Sequence, residues 1–145
     1  MKIKHVIGKV SPIVDDAFAV RKQVFVDEQG FDLSIEVDEY DEKALHLVGY
    51  EKEQPIAVAR MIFKDHGVGK IGRVAILKPF RQQGLGKLIM VYLIDAAKQN
   101  NLTKLQLSSQ LHAKDFYLNL GFVTEGDVYL EEGAPHILMN YQITQ

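Results

Sequence analysis

The amino-acid sequence predicts a three-layer α/β (α+β) domain with one mixed, mostly antiparallel sheet of about seven strands and helices on both faces. Seven short segments are apolar or alternate apolar with polar residues, and three longer segments have apolar residues at helical spacing. Their order is β-α-β-β-β-α-β-α-β-β. Because 145 residues, 47% of them hydrophobic, are enough for one core and too few for two, we expect residues 1–145 to form a single domain.

Turn and cap residues set the predicted boundaries. Ser11 followed by Pro12 is typical of a helix start, and Gly30 is typical of a helix end. The acidic segment 31–43 has little hydrophobic periodicity and is expected to be a loop with at most one short helical turn. Strands are expected at 2–9, 45–51, 56–64, 70–77, 102–108, from Gly121-Phe122 and at 136–143, helices at 12–30, 88–97 and 112–120, and a turn-rich acidic hairpin at 126–133.

A glycine-rich turn lies between the strand at 70–77 and the helix at 88–97. Such a turn leaves several backbone N–H groups directed the same way at the positive end of the helix dipole, which suits a phosphate or diphosphate. An ordinary chain reversal onto a sheet is the alternative, since Gly near a helix start is also a capping choice. The turn comprises Arg81, Gln82, Gln83, Gly84, Leu85, Gly86 and Lys87.

Two well-known phosphate-binding loops do not match this turn. A Walker loop requires Gly where this chain has Arg81 and Ser or Thr where it has Leu88. A dinucleotide-binding fingerprint requires a third Gly or Ala where this chain has Ile89. Neither class of nucleotide-binding protein is therefore expected.

Composition excludes further classes. The absence of cysteine excludes disulfides, thiolate zinc sites and a cysteine nucleophile, and the five histidines show no pair at metal-ligand spacing, so no metal is expected. We see no apolar run of about eighteen residues, no export leader and no basic helix, which argues against a membrane, secretion and nucleic acid. A cytoplasmic enzyme or binding module fits these observations.

The charges are unevenly distributed along the chain. Residues 66–94 contain no acid but five basic residues, whereas residues 27–42 contain eight acids and no base. Two solvated surfaces would explain the pattern. An anionic cofactor on the basic side and a cationic amine substrate on the acidic side would explain it equally well.

Two motifs carry a resemblance to a known family. The stretch from Arg81 to Gly86 matches Arg/Gln-x-x-Gly-x-Gly/Ala and resembles the coenzyme A diphosphate loop of the GNAT superfamily of acyl-CoA N-acyltransferases. The stretch from Gln110 to Phe122 resembles the Asn-x-x-Ala-x-x-x-Tyr-x-x-x-Gly-Phe segment of that family, with Gln110 in the usual Asn position. The element order is also that of the GNAT fold, so the resemblance covers nearly the whole chain.

Two further stretches resemble a narrower branch of that family. Arg21-x-x-Val24-Phe25-Val26-x-Glu28-Gln29 and Gly133-x-Pro135-His136-x-x-Met139 are similar to the small ElaA-like and YjcF-like bacterial members. Together the four stretches occur in the family's order.

The resemblance implies roles for the strand before the turn. Backbone groups of Val74 and Ile76 would pair with the pantetheine arm, and the Ile76 N–H would also stabilise an oxyanion. Ordinary pairing with the strand at Leu105–Ser108 is the alternative, unless a bulge separates the two strands.

Tyr117 is the candidate general acid, because a phenol with a pKa of about 10 is protonated at neutral pH and can protonate a departing thiolate. Ala113, one helical turn earlier, is small enough to let a thiol approach. A buried tyrosine that only packs on the sheet is the alternative. The resemblance also assigns Gln110 and Phe116 to cofactor binding.

The general base and the acceptor site are less sharply defined. Candidates for the base, acting directly or through water, are Glu28, Glu36, Asp38, His46 and His136. A strand-end histidine is commonly structural. Arg21 either orients one of these acids or is a charge on the helix surface.

These residues predict an acetyl-CoA-dependent N-acetyltransferase that acts on a primary amine of a small molecule or peptide by direct attack in a ternary complex. A non-catalytic acyl-CoA-binding or sensing domain, and an antitoxin-like interaction module, are the alternatives. The final strands, with Val128, Tyr129, Leu130 and Ile137, would either pair across a homodimer or pack within one subunit.

Overall fold

The computed structural model describes residues 1–144, apart from the side chains of residues 34 and 35. Seven strands form one sheet in the order β1-β2-β3-β4-β5-β7-β6, and every neighbouring pair is antiparallel except β4 and β5. The strands are β1 Lys2–Ile7, β2 Leu45–Glu51, β3 Gln54–Lys64, β4 Val68–Ile76, β5 Lys104–Gln110, β6 Val123–Glu131 and β7 Ala134–Gln142. The α-helices are α1 Pro12–Arg21, α2 Leu33–Glu36, α3 Leu85–Gln99 and α4 Lys114–Asn119.

This architecture confirms the predicted fold class, a mostly antiparallel seven-stranded sheet with helices on both faces. In β3 the run Ile56–Ala59 is fully buried, as expected for an apolar strand in the middle of a sheet. Apolar residues of α1 and α3 complete the core: Val14, Ala17, Val20, Ile89, Met90 and Leu93. Within residues 1–144 no helix is long and apolar enough to cross a membrane.

The first helix begins as predicted and then widens. Ser11 accepts a hydrogen bond from the Ile13 N–H at 3.1 Å, and Pro12 occupies the first turn. After Arg21 the helix continues as a π-helix over Lys22–Glu28. Such widened turns are frequent at functional sites. Here the widened turn precedes Gln29 and Phe31, which line the cavity described below.

β4 and β5 separate partway along their length. They pair only from Val68 with Lys104 to Ile71 with Leu107. Just beyond that point the β3–β4 register shifts, and Arg73 has a φ of 51°, an uncommon conformation for a residue with a side chain. The sequence could not decide whether a bulge separates these two strands. The structure contains one, and β4 leaves β5 at this point.

The structure corrects the predicted start of the central helix. We expected α3 to begin at Leu88, after the glycine-rich turn, but it begins at Leu85. Gly84 has a φ of 79° and turns the chain directly into the helix, so Leu85, Gly86 and Lys87 belong to its first turn.

Two other expectations are corrected. The segment 126–133 contains the predicted hairpin turn only at Glu132–Gly133, because β6 runs to Glu131 and accommodates Gly126 through a register shift against β7 between Glu125 and Tyr129. The acidic segment 31–43 contains α2 and a 3₁₀ turn at Glu39–Glu42. Asp38 and Asp41 form a capping box on that turn, which hydrophobic periodicity could not reveal.

Candidate functional site

A cavity of about 790 Å³ opens where β4 leaves β5. Two of its walls carry charged groups. We call Glu36, Asp38, Arg60 and Arg73 the arginine wall, on the side of β3 and β4. We call Ser108, Glu131 and His136 the histidine wall, on the side of β5, β6 and β7. The cavity is also lined by four of the predicted cofactor-binding residues, Val74, Gln110, Ala113 and Tyr117. They share it with three of the predicted acceptor-site residues, Glu36, Asp38 and His136.

The end of β4 presents its backbone to the gap. The Leu77 N–H donates to the Ile56 carbonyl of β3 at 2.8 Å. Because successive residues of a strand alternate in direction, the Ile76 N–H and carbonyl point away from β3. The Ile76 carbonyl accepts a hydrogen bond from Arg81 Nε at 2.8 Å, so Arg81 fixes the turn to the strand end.

The glycine-rich turn lies beside the cavity, and of the described residues none from 81 to 87 lines it. Arg81 Nη1 and Nη2 donate to the two carboxylate oxygens of Glu28, each at 2.7 Å, which joins the turn to the π-helix. A Cβ placed on Gly84 would have no atom within 4 Å, so the space over its backbone is open. A Cβ on Gly86 would lie 3.4 Å from Phe116 Cζ, so the first turn of α3 touches α4.

Tyr117 lies between two aromatic rings. Its ring meets Phe116 edge-on at 5.0 Å and Phe122 at 5.7 Å between centroids. Burial raises the pKa of the Tyr117 hydroxyl, so the group is protonated at neutral pH. Gln110, nearby on the cavity, accepts a hydrogen bond from His112 Nε2 at 2.6 Å through its side-chain carbonyl.

Behind the arginine wall, Arg21 is fully buried and donates four hydrogen bonds to the acidic segment. Its Nε donates to Glu36 Oε1 at 2.6 Å and Nη1 to Asp41 Oδ1 at 2.8 Å, while Nη2 donates to the Glu36 carbonyl at 2.8 Å and to Asp41 Oδ2 at 3.1 Å. Arg21 is therefore not a helix-surface charge, and it orients two acids.

Arg60 and Arg73 hold the same acids from the sheet. Arg60 Nη1 donates to Asp38 Oδ1 at 2.7 Å and to Asp41 Oδ1 at 3.0 Å. Arg73 Nη2 donates to the Glu36 carbonyl at 2.9 Å and to Asp38 Oδ2 at 3.2 Å. Much of the acidic segment is thus folded against arginines. Its paired acids are therefore neither a solvated surface nor free carboxylates that face an amine substrate.

The arginine contacts strongly lower the pKa of Asp41. Burial alone would raise the pKa of its carboxyl group, but hydrogen bonds and charge from Arg21, with the Asp38 amide and Arg60, lower it to about 2. Arg60, at the centre of the apolar run 56–62, was the sequence signal for this cluster, because a buried arginine requires carboxylate partners.

His46 lies outside the cavity. It is fully buried, its Nε2 donates to the Asp41 carbonyl at 2.8 Å, and its ring meets Phe18 edge-on at 6.0 Å. Burial lowers the pKa of its imidazole. His46 and Arg21 thus support the 3₁₀ turn at Glu39–Glu42 from behind, and neither of them lines the cavity.

The histidine wall is built across the β6–β7 hairpin. His136 Nδ1 lies 2.9 Å from the Ala134 carbonyl, and Nε2 lies 3.4 Å from Glu131 Oε2. Ser108 Oγ hydrogen-bonds the Tyr129 hydroxyl and lies 3.5 Å from both carboxylate oxygens of Glu131. Sequence reasoning missed Ser108 and Glu131, although Glu131 and His136 flank the turn at Glu132–Gly133.

The other predicted positions are placed as follows. Among residues 1–144 no three histidine, aspartate or glutamate side chains are close enough to hold a metal ion. Val128 and Leu130 are exposed on β6 at the edge of the sheet, whereas Ile137 is buried.

A fold of this kind, a mixed sheet that opens between two parallel strands, is shared with a solved acyl-CoA N-acyltransferase. The chain belongs to the acetyltransferase (GNAT) domain family, whose model matches residues 13–143.

Individual relatives agree with this assignment. The Bacillus subtilis protein named uncharacterized N-acetyltransferase YjcF is 37% identical over 138 residues, which cover 94% of this chain and 98% of that protein. An acyl-CoA N-acyltransferase from Pseudomonas aeruginosa superposes with a TM-score of 0.85 at 30% identity, covering 97% of this chain and 98% of the other. Escherichia coli ElaA superposes with a TM-score of 0.85 at 26% identity, covering 97% and 99%.

These matches confirm the predicted family and its ElaA-like and YjcF-like branch. The chain is an acyltransferase, and its fold implies a donor based on coenzyme A and an amine acceptor.

Proposed function

We propose that this protein transfers an acetyl group from acetyl-CoA to a primary amine of a small molecule or peptide, with both substrates bound together. The observation that carries the proposal is the gap between β4 and β5. Tyr117 and the two charged walls line the cavity that opens at this gap. The turn at Gly84 lies outside the lining and is tied to the end of β4 through the hydrogen bond from Arg81 Nε to the Ile76 carbonyl.

The residues around Gly84 fit the diphosphate of coenzyme A. The first N–H groups of α3, a helix of 15 residues, have no intrahelical acceptor and carry the positive end of its dipole. Open space over Gly84 allows an anion to approach the backbone, and the exposed Lys87 adds a positive charge. Arg81 contributes by fixing the turn, since its guanidinium is neutralised by Glu28.

The end of β4 and α4 would hold the remainder of the donor. Val74 lines the cavity, and the Ile76 N–H points into the gap, where it can stabilise negative charge on a carbonyl oxygen. When bound, the donor supplies an activated thioester. Tyr117, a phenol that is protonated at neutral pH, would give its hydroxyl proton to the departing thiolate sulfur, while Ala113 leaves room for that sulfur.

The cavity charges favour a polar acceptor. Glu131 and Glu132 lie at the β6–β7 turn, and Lys64 and Lys70 lie on β3 and β4. An amine that also carries an anionic group would match both sides, so amino acids and peptides are the first acceptors to try, followed by polyamines and amino sugars.

Free-thiol release with such an acceptor panel tests the proposal. We expect release that depends on both acetyl-CoA and one class of amine, and formation of the acetylated amine by mass spectrometry. Binding of acetyl-CoA without thiol release for any amine would instead identify a non-catalytic acyl-CoA sensor. Absence of binding would identify an interaction module.

A further inference from the structure

The hydrogen bond at His136 Nδ1 determines which ring nitrogen can accept a proton. The Ala134 carbonyl, 2.9 Å away, can only accept, so Nδ1 carries the hydrogen. In the neutral ring the lone pair therefore lies on Nε2. His136 is 7% exposed and lines the cavity, so this lone pair belongs to a group inside the candidate site.

Glu131 is positioned to stabilise the charged form of that ring. Its Oε2 lies 3.4 Å from His136 Nε2, a separation at which a carboxylate attracts an imidazolium. Two side chains, Ser108 and Tyr129, support this pair. Ser108 Oγ lies 3.5 Å from both Glu131 oxygens and hydrogen-bonds the Tyr129 hydroxyl, and the Tyr129 ring stacks on His136 with an interplanar angle of 28°.

The opposite wall offers no comparable base. In the arginine wall both acids are tied to guanidinium groups, Glu36 by Arg21 and Asp38 by Arg60 and Arg73. A second cavity histidine, His112, donates from Nε2 to the Gln110 carbonyl oxygen, which leaves its lone pair on Nδ1. His112 is exposed, however, and within residues 1–144 it forms no ion pair like that of His136 with Glu131.

We infer that His136 Nε2 is the general base that deprotonates the acceptor ammonium, with Glu131 stabilising the imidazolium that results. This inference rests on the proposed amine acetyltransfer. An N–H bond of the ammonium breaks, a bond between that hydrogen and Nε2 forms, and the positive charge moves from substrate to imidazole. The proton then leaves to water at the exposed side of Glu131, and the neutral amine is free to attack.

A measurement on the protein alone tests the tautomer. Ring nitrogen-15 NMR of the labelled chain, with His136 assigned by its loss in His136→Asn, should show hydrogen on Nδ1 and none on Nε2 when the ring is neutral. The charged and titratable groups around it are Tyr129 and Glu131 on β6, Glu132 in the turn, and His112 and Tyr117 beyond β5. The opposite tautomer would overturn the inference.

Kinetics with an amine found in the acceptor panel tests the role. At neutral pH we expect His136→Asn to lower kcat/KM about 100-fold, a typical contribution of a general base. The loss should shrink as the pH approaches the acceptor's own pKa, about 10 for an alkyl amine, because the substrate is then already neutral. A purely structural role would give a loss that does not change in this way.

Three variants complete the design. Glu131→Gln should lower kcat/KM by only about fivefold, as expected for a partly exposed ion pair. His66→Asn makes the same replacement in an exposed turn at a φ of 63°, which Asn tolerates, and should leave activity unchanged. Glu125→Gln, on the same strand as Glu131 and exposed, should also have no effect.

The outcomes separate this inference from the proposed function. Amine-dependent turnover in the unmodified protein that survives His136→Asn at neutral pH overturns the base assignment alone. A loss of equal size at all pH values does the same. Absence of thiol release with every amine overturns the proposed function, and the base assignment with it.

Discussion

The two charged walls of the cavity differ in how firmly their groups are held. In the arginine wall and the buried groups behind it, Arg21, Glu36 and Asp41 are almost completely removed from solvent and joined by contacts of 2.6 to 2.8 Å. In the histidine wall, Glu131 keeps 49% of its side chain exposed and meets His136 at 3.4 Å. The first set of groups is closed to solvent, whereas in the second set Glu131 remains open to solvent.

This difference shows that charge in a cavity is not by itself a sign of catalysis. Buried ion pairs require several partners to offset the loss of water, and once paired they resist changes in protonation. We therefore propose that the arginine wall fixes the shape of the cavity and that the histidine wall holds the general base.

The largest expected effect comes from removing the centre of the arginine cluster. Arg21→Met should lower the free energy of unfolding by about 3 to 5 kcal/mol, because Asp41 and Glu36 would be left buried without their partner. Urea unfolding measures this loss. Lys22→Met is the matched control, since Lys22 is 55% exposed, and should cost less than about 0.5 kcal/mol. Equal losses would contradict a structural cluster.

On the chemical side, Tyr117→Phe should lower turnover about 100-fold while the affinity for acetyl-CoA stays within about twofold. The ring and its packing against Phe116 and Phe122 remain, and only the hydroxyl is lost. Steady-state rates and calorimetry separate the two quantities. Tyr141→Phe, in the same aromatic group through Phe122, should leave turnover unchanged. Unchanged turnover in Tyr117→Phe would remove its role as an acid.

Acid should weaken the arginine cluster in a defined direction. Since the folded pKa of Asp41 is about 2 and its ordinary value is 3.8, its contribution is complete above about pH 5 and is lost as the pH falls toward 2. The shift corresponds to about 2 kcal/mol of unfolding free energy.

Unfolding measured between pH 6 and pH 2 should therefore have a smaller pH slope in Asp41→Asn than in the unmodified protein. Asp27→Asn changes an exposed carboxylate and should keep the original slope. Identical slopes in all three proteins would show that Asp41 is not held in this way.

The smallest effect is expected at the link between the π-helix and the glycine-rich turn. The hydrogen bonds that Glu28 accepts from Arg81 lower the pKa of the Glu28 carboxyl group, so the pair is charged at neutral pH. Glu28→Gln should weaken coenzyme A binding about threefold by loosening the turn, with little change in melting temperature. Glu53→Gln, in an exposed turn, is the control. Tighter binding in Glu28→Gln would show that Glu28 opposes the anion.

The sequence was sufficient where local rules decide the structure. Ser11 and Pro12 mark the first helix, and the order of apolar segments gives all seven strands. The motif from Arg81 to Gly86 pointed to the turn because one of its glycines, Gly84, is required by the backbone itself. Gly84 is in the left-handed conformation that such a residue allows.

Sequence reasoning failed where distant segments meet. The acids of residues 31–43 have no local pattern, and their positions follow from Arg21, Arg60 and Arg73, which lie 15 to 37 positions away in the chain. The pairing of His136 with Glu131 depends on the register between β6 and β7, which shifts near Gly126. Neither relation can be read from spacing alone.

Titration calorimetry with coenzyme A on two glycine variants tests the central claim most directly. Gly84 and Gly126 have φ values of 79° and 75° with open space around them, so alanine at either should cost about 1 kcal/mol of stability. If the turn at α3 binds the diphosphate, the unmodified protein and Gly126→Ala bind alike, and Gly84→Ala binds at least about tenfold more weakly. Absence of heat with millimolar coenzyme A, or equal weakening in both variants, would contradict the claim.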